Sequence, residues 1–272
     1  MSDLPALDGV LVQFLGTGGP LASGGRLQTC ILVQNDHGCY LVDCGMTALV
    51  SMSRFAIDPG AIDAVLITHL HGDHYGGLPL MILEACINAH EGSTYPPRTR
   101  PLRVAGPAET EARVRQVLDL FSWRAQFAAM KDNGLLEFIT LEPRRETVIH
   151  GLTVTAFPVL HYTPEATALR ITVGGKTIAY SGDTGWTDTL LEVAAEADLF
   201  ICQTYTIDIP QWGLLNYRTL QARRDQLTCK RLVLTHVGAQ MQNRLAEVEE
   251  EVAGDGLVIT LQRVTTLSRA PT

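Results

Sequence analysis

The segment Thr68-His69-Leu70-His71-Gly72-Asp73-His74 sets four metal-compatible side chains within six residues. Imidazole and carboxylate groups suit zinc, iron and manganese. The segment follows the apolar run AVLIT and precedes a Gly-Gly pair and a helical pattern. Two histidines one residue apart at a strand end project to the same side. The turn then folds Asp73 and His74 back toward them. Histidine is only 8 of 272 residues, so three histidines and an aspartate at these offsets arise by accident in roughly one chain in a thousand or fewer. Core packing is a poor account of the cluster, because burying such groups unpaired is costly.

One or two complete metal sites need more ligands. His161 follows TAFPVL, Asp183 follows TIAYSG and His236 follows RLVLT. Each is a polar residue at the end of an apolar run, as His69 is. Together with the first motif they are read as ligands. Asp43 ends the run YLVD, where a turn or cap residue is the plain reading. Cys39 and Cys44 have a ligand-like spacing, but they flank an apolar run and are read as core thiols.

These residues must be held by strands. Short β-branched runs bounded by Gly, Pro, Asn or Asp predict strands at 10–17, 30–35, 40–45 and 64–69. Further strands are expected at 136–141, 152–159, 168–174, 177–183, 198–205, 231–236 and 257–263. The turn Asn35-Asp36-His37-Gly38 predicts a hairpin, with His37 exposed. Apolar periodicity predicts helices over 77–89, 108–121, 187–197, 217–227 and 242–253. Residues 91–101 read as a loop, and His90 as a structural or exposed residue at a helix end. Two successive halves of strands and helices imply two sheets packed face to face with helices outside, an α/β fold. Residues 1–272 are expected to form a single domain.

Composition narrows the class. Hydrophobic residues are 46% and charged residues 18%, enough apolar material for a sizeable core. No run approaches the ~18 to 20 apolar residues of a membrane span. The N-terminus has neither a basic nor an apolar leader region. Six scattered cysteines with no CxxC pair read as reduced thiols in a cytoplasmic protein. The net charge of −8 argues against coating long nucleic acid through bulk positive charge. Local arginine pairs, Arg98 with Arg100 and Arg144 with Arg145 among them, read as solvated faces and turns.

The motifs resemble the metallo-β-lactamase superfamily, whose HxHxDH signature is matched by His69, His71, Asp73 and His74. A lone His161, the pair Gly182-Asp183 and Thr235-His236 match its later motifs. Leu15-Gly16-Thr17-Gly18-Gly19-Pro20 and His74-Tyr75-Gly76-Gly77-Leu78-Pro79 are similar to motifs of its ribonuclease Z-like and phosphodiesterase branch. The resemblance implies a four-layer αβ/βα sandwich. It implies one divalent ion bound by His69, His71, His161 and Asp183, and a second bound by Asp73, His74, Asp183 and His236. Asp183 would bridge them, and Asp43 would support a ligand histidine. Asp73, His74 and Asp183 would carry catalysis as well as metal. Zinc is the expected ion, with manganese and iron as alternatives, and a homodimer is the assembly that the branch suggests.

Two departures from the branch matter. The stretch between His161 and Asp183 is filled by two predicted strands and leaves no room for the long tRNA-gripping arm. The branch's loop histidine is replaced by Leu214 in Leu214-Leu215-Asn216-Tyr217-Arg218-Thr219-Leu220, and Gln203 stands where an acid is common. Four neutral histidines, two carboxylates, two divalent ions and a bridging hydroxide leave a surplus positive charge, which suits an anionic substrate. The expected activity is hydrolysis of a small phosphodiester, with no long nucleic acid and no membrane as partner. A lactone or ester hydrolase suits Leu214, and a non-catalytic metal- or ligand-binding protein is the alternative from another class.

Overall fold

A computed structural model describes residues 9–87 and 95–262. Strand β1 (Val10–Gly16) shows the period that builds the fold. Val10, Val12 and Phe14 enter one apolar cluster, while Leu11 and Leu15 pack into another. The next strand, β2 (Cys30–Asn35), does the same: Ile31 and Val33 face inward, Cys30 and Leu32 outward. A strand that is apolar on both faces is covered on both faces.

The first sheet continues with β3 (Gly38–Val42), α1 (Ala48–Arg54), β4 (Ala64–Leu66), α2 (Gly72–Tyr75), α3 (Leu78–Ile87), β5 (Leu102–Gly106), α4 (Thr110–Leu120), α5 (Arg124–Asp132) and β6 (Leu136–Thr140). The second is built from β7 (Glu146–Ile149), β8 (Leu152–Pro158), β9 (Thr167–Val173), β10 (Lys176–Tyr180), α6 (Thr189–Ala194), β11 (Leu199–Gln203), α7 (Tyr217–Gln221), β12 (Leu232–Thr235), α8 (Ala239–Gln242) and β13 (Glu251–Val252). The last strand, β14 (Val258–Leu261), returns to the first sheet and pairs antiparallel with β1. The sheet orders are β14-β1-β2-β3-β4-β5-β6 and β13-β12-β11-β10-β9-β8-β7.

The inner faces share one core, to which Phe14, Val42, Leu169 and Ile201 contribute. A second cluster joins the outer face of the first sheet to Met52, Ile82, Val114 and Phe127 on its helices. A third joins Phe200 and Leu234 to Leu190, Leu220 and Met241. Helix, sheet, sheet, helix is the four-layer sandwich that the sequence predicts. The predicted hairpin is present: Asn35 pairs with Gly38, and the Asn35 carboxamide oxygen accepts from the His37 and Gly38 amides at 3.0 Å.

Several expectations are revised. Residues 242–253 are not one helix. α8 ends at Gln242, a short 3-10 turn covers Leu245–Glu247, and Glu251 and Val252 join β12 as an edge strand. The apolar spacing of Leu245, Val248 and Val252 suits a helix. The same side chains instead pack onto the third cluster, where β12 offers backbone partners. Helix α5, which buries Phe127 and Met130, and strands β5 and β7 escaped the sequence reading. Arg98 is buried rather than solvated, donating to the Pro59 carbonyl at 2.7 Å. His90 lies outside the described residues, as does part of the 91–101 loop. Among the described residues no helix is long and apolar enough to cross a membrane.

Candidate metal centre

Strands β3, β4, β8, β10 and β12 run in register toward one edge of the sandwich, and a polar residue follows the end of each. Asp43 follows β3, His69 to His74 follow β4, His161 follows β8, Asp183 follows β10 and His236 follows β12. All seven residues predicted as ligands meet there. His69, His71 and His161 form one group, and Asp73, His74 and His236 another. His69, His74 and Asp183 form a third that overlaps both, with the ligand atoms of each group within 4.8 Å of one another.

The ring nitrogens face one another across the cluster. The His161 Nδ1–H donates to the Gly213 carbonyl at 2.7 Å, which leaves Nε2 as a lone pair. That Nε2 lies 3.0 Å from His71 Nδ1, which lies 3.2 Å from His69 Nε2. The Thr68 hydroxyl donates to the Asp43 carboxylate at 2.9 Å and can accept from His69 Nδ1 at 3.0 Å, which turns His69 Nε2 inward as well. In the second group His74 Nε2 and His236 Nε2 are 3.2 Å apart. His236 Nε2 is 3.1 Å from Asp73 Oδ2 and 3.3 Å from Asp183 Oδ2. Converging imidazole lone pairs repel unless a cation or proton sits among them.

The carboxylates make the same demand. Asp43, Asp73 and Asp183 are all buried, Asp73 the most exposed at 5%. Among the described residues no lysine or arginine pairs with any of them; their ionic partners are histidines. Asp183 Oδ1 is buried with no hydrogen-bond partner. Burial opposes the charge on Asp183, yet His236 and His74 hold its carboxyl well below the usual range. Burial opposes protonation of His74, but Asp183 and Asp43 push its imidazole well above its ordinary value. His69 is driven the other way, by burial and by His74. A divalent cation fits this set of buried donors.

The backbone positions these groups at some cost. Asp43 and His236 hold left-handed conformations, with φ of +57° and +60°. Gly182, at φ +55°, turns the chain just before Asp183, and a Cβ there would clash with the Thr167 carbonyl oxygen. Gly19 lies against the His236 ring: a Cβ would come within 2.8 Å of Cε1. Sequence reasoning placed Gly19 in a motif without giving it a task. The roles of Thr68 and of the Gly213 carbonyl escaped it. Thr68 stands inside the motif, whereas nothing in the sequence marks Gly213.

A cavity of about 330 Å³ opens over the cluster, lined by His71, Asp73, His161, Asp183, His236, Pro20, Tyr162, Tyr205, Gln211 and Leu214. Leu214 thus borders the site, as expected. Gln203 does not reach the cavity. Its Oε1 accepts from the Thr184 and Leu215 amides at 3.3 and 3.2 Å, tying the loop to β11. The six cysteines are free thiols, and none belongs to the cluster.

Residues 10–250 match a family model described as anti-Pycsar protein Apyc1. Ribonuclease Z of Methanosarcina acetivorans is 23% identical over 282 residues, spanning 84% of this chain and 88% of that protein. Human tRNase Z, short form, superposes with a TM-score of 0.71 at 23% identity, covering 92% of this chain and 98% of that one. Zn(2+)-bound PqqB from Methylobacterium extorquens gives 0.71 at 17%, covering 92% and 100%. These relatives correct the expectation that long nucleic acid is no partner, since the ribonucleases among them are named for RNA. The net charge of −8 misled because it averages the whole surface, whereas binding responds to the local field at a cleft. The match over residues 10–250, carried on this sandwich and its His/Asp cluster, makes the chain a member of the Apyc1 family, within the ribonuclease Z-like branch of the metallo-β-lactamase-fold hydrolases.

Proposed function

We propose that the chain is a dinuclear metal-dependent phosphodiesterase. The observation that carries this reading is the position of Asp183. Its Oδ2 is 3.5 Å from His74 Nε2 and 3.3 Å from His236 Nε2, and 4.0 Å from His161 Nε2 on the other side. One carboxylate between two histidine groups suits two ions sharing a ligand. His69, His71, His161 and Asp183 would hold one ion, and Asp73, His74, His236 and Asp183 the other. Zinc suits imidazole and carboxylate donors, and manganese or iron would also be accepted.

Two divalent ions, when bound, supply Lewis acidity and bring the pKa of water to about 7. The rest falls to the chain. Thr68, Asp43 and the Gly213 carbonyl each hold one ring nitrogen of His69, His74 and His161 and so turn the other nitrogen toward the cluster. Burial opposes the charge on Asp73 and Asp183, yet His236 and His74 hold both carboxyls well below the usual range. Pro20, Tyr162 and Leu214 line the cavity over the cluster. A small phosphodiester and an RNA chain share the bond to be broken, so both belong in the test. The half-buried Leu214 keeps a second reading, a lactone or ester hydrolase with an apolar pocket.

The test is a turnover screen of metal-replete protein on bis-p-nitrophenyl phosphate, an RNA oligonucleotide, lactones and β-lactams. Hydrolysis of the phosphodiesters, abolished in Asp183→Ala and retained in a control at the exposed hairpin residue, His37→Ala, is the expected result. Equal loss in both variants, or turnover of lactones alone, would overturn the reading.

A further inference from the structure

Two large aromatic side chains stand exposed beside the cluster, and neither is assigned a ligand or proton-transfer role above. Tyr162 is 56% exposed and Trp212 is 64% exposed. Their ring centroids are 5.7 Å apart, and the Tyr162 ring is 5.3 Å from that of His161. Tyr162 lines the cavity over the cluster, and so do Gln211 and Leu214, the residues on either side of the Trp212-Gly213 pair. Trp212 therefore sits on the cavity rim.

The rim is built firmly. Gln211 and Leu214 pair antiparallel across the turn, and Thr206 pairs with Asn216 at its base. The turn's tip is fastened to a proposed metal ligand, because the Gly213 carbonyl accepts from His161 Nδ1 at 2.7 Å. The distance from Trp212 to the reacting centre is thus set by the same hydrogen bond that orients His161. Gln211 adds a carboxamide that makes no hydrogen bond within the described residues and lines the cavity, offering a donor and an acceptor side by side.

We infer that Trp212 and Tyr162 form a stacking platform for a planar heterocycle carried by the substrate phosphodiester, with Gln211 reading the edge of that ring. Exposed aromatic faces bind flat rings with little dependence on their substituents, whereas a carboxamide forms paired hydrogen bonds with a ring edge that has a donor beside an acceptor. Among the described residues no arginine or lysine lines the cavity, so the ring is held by stacking and neutral hydrogen bonds, and the anionic part is left to the cluster. A nucleobase, on a free nucleotide or at an exposed position of an RNA, has this chemistry. The inference rests on the phosphodiesterase reading above, and it makes Trp212 a specificity residue rather than a catalytic one.

Two p-nitrophenyl esters separate the platform from the chemistry. Thymidine 5′-(p-nitrophenyl) phosphate and methyl p-nitrophenyl phosphate share a leaving group and differ in the ring. Trp212→Ala should raise KM for the thymidine ester about 10-fold or more with kcat little changed, and leave the methyl ester unaffected. Trp212→Phe should restore most of the loss. Equal changes on both esters, or none on either, would overturn the platform while leaving the phosphodiesterase reading intact. Equilibrium dialysis with thymidine 5′-monophosphate provides a readout without turnover. Binding weakened by Trp212→Ala and kept by Trp212→Phe, in a protein that cleaves neither ester, would keep the platform and remove the phosphodiesterase reading. No binding to the unaltered protein would remove the platform.

Discussion

His74 Nδ1 lies 2.7 Å from Asp43 Oδ2, and both side chains are fully buried. Asp43 reaches this position through a left-handed backbone, with φ of +57°. The same carboxylate also accepts from the Thr68 amide at 2.9 Å and from its hydroxyl. One residue thereby orients the imidazole of His74 directly and that of His69 through Thr68. Asp43→Asn keeps the size but removes the charge that draws the His74 Nδ1 proton. Metal affinity, measured by competition with a chromogenic chelator, should fall about 10- to 100-fold. An unchanged affinity would show that His74 needs no such partner.

The two histidine groups should empty separately. Metal-replete protein should carry close to two ions per chain by elemental analysis. His161→Ala removes a donor from the group with His69 and His71, and His236→Ala removes one from the group with Asp73 and His74. Each variant should retain about one ion per chain under chelator competition, by loss of a single donor set. Native-like far-ultraviolet circular dichroism would show that the fold persists. Loss of all metal in both variants, or none in either, would argue against two ions held by separate sets.

Leu214 borders the cavity, and the loop motif that its segment resembles carries a histidine at this position. Leu214→His should raise kcat/KM on bis-p-nitrophenyl phosphate if the protein hydrolyses phosphodiesters with one proton-transfer group missing. A positioned acid or base typically contributes 10²- to 10⁴-fold, so even an imperfect rotamer should be measurable. If Leu214 instead grips an apolar ester, the same change should lower lactone turnover by burying an unpaired polar ring. The signs are opposite, and one pair of kinetic measurements decides between them.

Gly19 leaves no room for a side chain beside His236, since a Cβ would come within 2.8 Å of the ring. Gly19→Ala should tilt that imidazole and weaken the ion held with Asp73 and His74, about 10-fold or more by comparison with losses of ligand-orienting groups. Gly254→Ala, where a Cβ meets nothing within 4 Å, is the matched control. Equal metal content and affinity in the two variants would mean that the loop yields to the added methyl.

Much of this molecule is written in local pattern. Alternating apolar residues such as Val10, Val12 and Phe14 against Leu11 and Leu15 specify a strand covered on both faces, and that is where they lie. The clustered histidines at strand ends are legible because strand, turn and polar side chains are consecutive in sequence. His161, Asp183 and His236 could be picked out for the same reason. Where apolar spacing was compatible with two outcomes, as at 242–253, the backbone partners offered by β12 decided for an edge strand. Sequence could not supply that information, because the partner is a neighbour only after folding.

The remaining features depend on pairs far apart in the chain. Asp43 and His74, Gly19 and His236, Gly213 and His161 each meet at the sandwich edge, and no spacing rule announces them. Arg98 is buried because the Pro59 carbonyl is there to receive it. Net charge misjudged the partners because it carries no position, whereas a binding cleft responds to the charges within a few ångströms. Residue types and their order therefore determined which chemistry is available. The packing of two sheets against each other decided which seven donors converge, how each imidazole is turned, and that Trp212 stands at the rim of the same cavity.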